Sequence, residues 1–175
     1  MMHKPMGKAE GLVIYSHKDN GQWSLSSADV QHAIQEEYRS ILWCQRLGQL
    51  APPDHRPDYN RIVEEDRRGR LADLTRLYYN LTGCYPVFNK VELPGDYLSG
   101  LRTALDHALC SAGNYNRLLF VSVDQLMQKV MFCGMTSEMR WATRLQFLYT
   151  NFVCENGSMS KNKSMIGIIK KKAST

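Results

Sequence analysis

Apolar residues recur three or four positions apart over most of this chain. That period lines one face of a helix but scatters over both faces of a strand. Val30, Ile34, Tyr38, Ile41, Leu42 and Leu47 follow it, and Ser26 with Asp29 three residues on supplies a capping-box signal at the start. This first helix is expected to reach about Leu50. The prolines of "APPDHRPD" (51–58) then remove donors and push their predecessors away from helical backbone.

A second helix is expected from about Asp58, with Tyr59, Ile62, Val63, Leu71, Leu74, Leu77, Tyr78 and Leu81 as its apolar stripe. Gly69 is a point of interruption and Gly83 its end. A third begins near Asp96 and carries Tyr97, Leu98, Leu101, Ala104, Leu105, Ala108 and Leu109 on one face, with Gly113 beyond. Residues 117–134 read as one buried helix, the alternative being a short strand at 118–121 and a helix after Ser122. A last helix opens at Thr136 and runs to about Phe152, with Gly134 as a break before it. Ahead of them all, Asn20-Gly21 suits a tight turn between two short strands, a hairpin over 11–26. The expectation is a mainly α chain: about five helices in one orthogonal or bundle-like domain over 1–154, a short N-terminal β-hairpin, and a flexible basic tail over 155–175.

Composition narrows the class. The 175 residues suit one core. No run approaches the ~18 uninterrupted apolar residues of a membrane-spanning helix, and the basic start does not read as a signal peptide. Cys44, Cys84, Cys110, Cys133 and Cys154 are scattered, without a C-x-x-C pair, and the five histidines lack helically spaced partners. Neither a disulfide framework nor a metal site is expected, and reduced thiols point to a cytoplasm. Phosphate loop, dinucleotide fingerprint, nucleophile elbow and H-E-x-x-H are all missing, so neither an enzyme nor a cofactor is expected.

The net charge of +5 is mostly a property of the tail, where five of the 22 basic residues follow Glu155. Basic residues in the body cluster at Arg67, Arg68, Arg70 and Arg76, directly after the acidic run "EED" (64–66). Helical spacing pairs Glu64 with Arg67 and Arg68, and Asp66 with Arg70, which is the account of a solvated helix. The functional alternative sends Arg70 and Arg76 to phosphates or base edges, where a planar guanidinium donates two parallel hydrogen bonds. Lys170, Lys171 and Lys172 would add sequence-independent affinity for a phosphate backbone.

Two other patterns stand out. Arg102 and His107 in "RTALDH" share the R-x-x-x-x-H spacing of HEPN ribonucleases, although a regular helix points them about 140° apart. Methionines at 127, 131, 135 and 139 recur every fourth residue, a pattern of core or of an adaptable interface.

The run "RLYYNLTG" (76–83), followed by Pro86 and Leu93-Pro94, resembles the FlhC type of transcriptional activator, and "ADVQHAI" (28–34) is similar to that family's first helix. The resemblance covers residues 70 to 97 and implies a helix-turn-helix-like unit. The family's zinc-binding cysteine cluster has no counterpart here. These readings lead to a DNA-binding transcriptional regulator acting as a dimer or with a partner subunit. A helical adaptor or inhibitor that binds another protein is the second reading, and a HEPN-like ribonuclease the third.

Overall fold

The computed structural model describes the backbone of residues 17–19, 22–62 and 67–172 and the side chains of 25–59, 62 and 67–155. Its helices are α1 (Ser27–Leu50), α2 (Arg56–Ile62), α3 (Arg68–Thr82), α4 (Tyr97–Val121) and α5 (Gln125–Lys172). The chain is mainly helical. The hairpin expected over 11–26 falls largely outside the described residues, as do Asn20 and Gly21; of it, His17–Asp19 pairs antiparallel with Gln22–Ser24.

Four of the helices form a bundle. α1 packs on α3 and α4, and α5 packs on the same two, so α3 and α4 stand at opposite corners. Adjacent helices run antiparallel: the start of α3 meets the middle of α1 through Arg70 and Glu37, and Leu74 lies further on with Ile34 and Val30. α3 and α4 therefore run in the same direction, and residues 83–96 cross the length of the bundle to join them. A single long crossover is the arrangement of ferritin-like bundles.

That crossover is held by α1. Gln31 donates its amide to the Val87 carbonyl (2.7 Å) and accepts from the Val87 N–H (3.3 Å). Gln35 makes the same pair of bonds with Asn89 (3.3 and 2.9 Å). One helical turn along α1 advances about as far as two residues of extended chain, so the two glutamines pair with the crossover as a neighbouring strand would. Trp43 Nε1 donates to the Glu92 carbonyl (2.8 Å) and Arg46 Nε to that of Pro94 (3.2 Å), which continues the rail.

Local chemistry explains where helices begin and stop. The Ser26–Asp29 capping box is present in both directions at the start of α1. Gly83 ends α3 in the left-handed region at φ 71°, a conformation a side chain disfavours. Asp96 caps α4 by accepting from the Ser99 N–H at 2.9 Å.

The structure revises several of the expected boundaries. Within the stretch from Asp58 to Gly83 the described helices are α2, to Ile62, and α3, from Arg68, and residues 63–66 between them lie outside the described set. Residues 117–134 are the end of α4, a turn, and the start of α5. Ser122 folds its hydroxyl back onto the Leu118 carbonyl (2.7 Å), while Asp124 accepts from the N–H groups of Leu126 and Met127 (2.9 and 3.0 Å). Glycine 134 breaks nothing: α5 runs through it, and the Tyr115 ring lies 2.5 Å from where its Cβ would be. Gly113 is likewise inside α4. From Glu155, where composition pointed to a loose tail, the backbone of α5 continues to Lys172.

Candidate functional site

The inward face of α1 reads Val30, Ile34, Glu37, Ile41, Cys44, and one of these is a carboxylate. The inward face of α5 passes from Met131 through Glu138 to Trp141, Ala142 and Leu145. Glu37 and Glu138 are each 1% exposed. Two acids projecting from different helices into one dry interior require cations, since an isolated buried charge is prohibitively costly.

α3 supplies them. Arg67 is 1% exposed and donates from Nη1 and Nη2 to the two oxygens of Glu138 (2.7 and 3.1 Å), and from Nη1 to Glu37 Oε2 (3.4 Å). Arg70 is 8% exposed; it donates from Nε and Nη2 to Glu37 (2.7 and 3.2 Å) and from Nη2 to Glu138 Oε1 (3.5 Å). Each guanidinium thus bridges both carboxylates. From α4, the buried Tyr115 hydroxyl donates to Glu37 Oε1 at 2.7 Å. The Arg67 guanidinium lies 5.9 Å from the centroid of the Trp141 ring, which closes its far side. All four main helices contribute to the cluster, and its two positive and two negative charges cancel.

The electrostatics follow from this packing. Burial alone would raise the Glu37 carboxyl, but Arg70 and then Arg67 outweigh it and hold the group below the ordinary range. At Glu138 burial prevails, helped by the neighbouring Glu37 charge, and the carboxyl is pushed up despite Arg67. The two-pronged Arg67–Glu138 contact is the geometry of an ionised carboxylate, so both acids are charged at neutral pH. Cys44 lies beside them, and burial pushes its thiol up to about 11, partly countered by Arg67. A cleft of about 180 Å³ between α3 and α5 reaches the edge of this cluster at Arg70.

These contacts revise the expected DNA-facing set. Arg67 and Arg70 turn inward, and their guanidinium groups bond Glu37 and Glu138; Glu64 and Asp66, the partners expected from helical spacing, lie outside the described residues. Arg68 and Arg76 remain on the surface, Arg76 with its side chain 74% exposed and 3.5 Å from Asp73. Lys170, Lys171 and Lys172 fall in the last turn of α5, outside the described side chains. Arg102 and His107 do not converge: α4 is continuous through both, Arg102 is exposed, and His107 stacks on Trp43 at 5.3 Å. Of the methionine series, Met131 is buried, Met127 and Met135 are half-buried, and Met139 faces outward.

Three solved structures resemble this bundle. A conserved hypothetical protein from Mycobacterium tuberculosis is 17% identical with a TM-score of 0.61, over 69% of this chain and 94% of that one. A hypothetical protein from Pyrococcus furiosus is 17% identical with a TM-score of 0.62, over 71% and 87%. A dodecameric thioferritin, the bacterioferritin-related protein of Bacteroides fragilis, is 15% identical with a TM-score of 0.63, over 75% and 88%. The likeness establishes the fold. No family model and no curated protein matches the chain.

The fold raises the question of a metal. Ferritin-like carboxylate bundles build a central site from a glutamate on each of two helices and a Glu-x-x-His pair on each of the other two. Here α1 offers Glu37 and α5 offers Glu138 followed by Trp141, α4 offers Tyr115, and α3 places Arg67 and Arg70 at the i, i+3 spacing. Guanidinium and indole groups are not ligands, and both acids already accept from both arginines. Among the described residues, no three His, Cys, Asp or Glu side chains gather to hold an ion. The donor set does not fit a metal.

Proposed function

We propose that this chain is a non-catalytic assembly module, a helical bundle that binds protein through the outer face of α5, and that the face fits a second copy of the chain. The observation that carries this reading is an uncharged stripe on the solvent side of that helix. Phe132, Thr136, Met139, Thr143, Gln146, Thr150 and Val153 follow one another at alternating spacings of four and three, the seam of a helix packed against a helix. Phe132 is 52% exposed, Met139 56% and the adjacent Phe147 51%.

The three threonines do not make the stripe polar. Their hydroxyls donate back to the carbonyls of Phe132, Met139 and Gln146 on their own helix (3.0, 3.0 and 2.9 Å), so each already has a partner within α5. An uncharged stripe on the outer face of a helix, opposite its buried face, suits packing against another helix. Small threonines alternating with large Phe and Met side chains supply holes as well as knobs, so the surface is complementary to itself under a two-fold axis. A bundle of similar fold is described as dodecameric, which supports assembly as a use of this architecture. The DNA reading has less to rest on, because two of its four body arginines are interior.

Sedimentation velocity tests the proposal. The wild-type chain is expected to sediment as a dimer or larger species across the micromolar range. Met139→Lys combined with Phe147→Lys should sediment as a monomer of unchanged helix content. A monomeric wild type overturns the reading, and low-salt binding of random duplex DNA that Arg76→Ala abolishes would restore the regulator in its place.

A further inference from the structure

We infer that Arg67 and Arg70 are built-in replacements for a pair of metal ions, so that this bundle carries a latent carboxylate metal site closed by its own cations. The geometry is that of two bridged centres. Arg67 Nη1 lies between Glu138 Oε1 (2.7 Å) and Glu37 Oε2 (3.4 Å), and Arg70 Nη2 lies between Glu37 Oε2 (3.2 Å) and Glu138 Oε1 (3.5 Å). Two cations are each shared by the same two carboxylates, as two divalent ions would be. Tyr115 stands outside them and orients Glu37 Oε1 with its hydroxyl, the place of a group that steers a ligating carboxylate.

The sequence spacing supports the same conclusion. Arg67 and Arg70 are three apart at the start of α3, the separation at which a helix directs two ligands to one central point. Charge balance supports it as well. Two carboxylates sealed in a bundle need about two positive charges, whether brought by ions or by side chains. The arginine solution is independent of metal supply, and it ties α3 to α1 and α5 by covalently anchored charges. Assembly through α5 does not enter this inference, which concerns only the interior.

Cobalt(II) is the probe, read by its visible absorption and by the melting temperature. The wild-type protein should show neither cobalt absorption nor a shift in Tm with cobalt or after chelator treatment. Arg67→Glu combined with Arg70→His restores the ligand spacing with Glu37 and Glu138 in place. It should take up cobalt, and at a hundredfold excess over Kd its Tm should rise by roughly 5–10 °C. If that variant does not fold without metal, Arg70→His alone decides: it keeps Arg67 on both acids and should gain one weaker cobalt site. Wild-type cobalt binding that Glu138→Gln abolishes would overturn the inference. So would folded variants that take up none.

Discussion

Replacing Arg67 by alanine separates a structural cation from a surface one. The side chain is 1% exposed and provides both of the short bonds to Glu138, at 2.7 and 3.1 Å. Its loss leaves Glu138 with only the 3.5 Å contact to Arg70, as a buried carboxylate without an adequate partner. Breaking one side of a buried pair costs about 3–5 kcal/mol. In a chain of this size each kcal/mol moves Tm by about 2–4 °C, so a fall of about 6–20 °C is expected. Replacing both partners, Arg67→Met with Glu138→Leu, leaves Arg70 and Glu37 balanced and should lie within about 1 kcal/mol of the parent or above it. Urea and thermal melts followed by circular dichroism give both values and their coupling. Arg76→Ala, on the surface, should stay within about 0.5 kcal/mol. A loss below about 1 kcal/mol for Arg67→Ala, or a double variant as unstable as the sum of the singles, would refute the reasoning.

Gly134→Ala puts a methyl group where the Tyr115 ring sits 2.5 Å away, and that ring is fixed by its bond to Glu37; a loss of about 1–3 kcal/mol is expected, and an unchanged melt would show that α4 and α5 are not so close. With a thiol-specific reagent at mildly alkaline pH, the four exposed cysteines should react in the native protein, and buried Cys44, its thiol pushed up to about 11, only after denaturation; a fifth fast thiol would contradict the packing. Gln31→Ala with Gln35→Ala removes the rail for residues 87–89 and should speed proteolysis of the crossover while barely moving Tm; equal cleavage rates would mean the crossover is held by other contacts.

The helices and their caps were legible because they are local. Apolar period, the Ser26–Asp29 pair and Gly83 each act within a few residues, and each is where the reading put it. The interior cluster was not, because its pairs join residues 30 to 78 positions apart. A rule that pairs charges along one helix assigns Arg67 and Arg70 to Glu64 and Asp66 and leaves them outside. The available signal was the register of the acids. Glu37 falls on the stripe of Ile34 and Ile41, and Glu138 on that of Met131 and Leu145, so each helix carries a charge where an apolar residue belongs. Gly134 misled for a related reason: glycine ends helices locally, but this one makes room for a ring from another helix.

The closed cluster itself can be observed directly by nitrogen-15 NMR of the arginine side chains at neutral pH. A guanidinium held in two-pronged bonds and shielded from water rotates slowly about its Cζ–Nε bond and exchanges its protons slowly. Arg67 and Arg70 should therefore show separate, protected Nη signals that collapse in Glu37→Gln and Glu138→Gln variants, while exposed Arg76 shows a single averaged one. Averaged, rapidly exchanging signals from Arg67 and Arg70 would contradict the account, because the arginines would then be free on the surface.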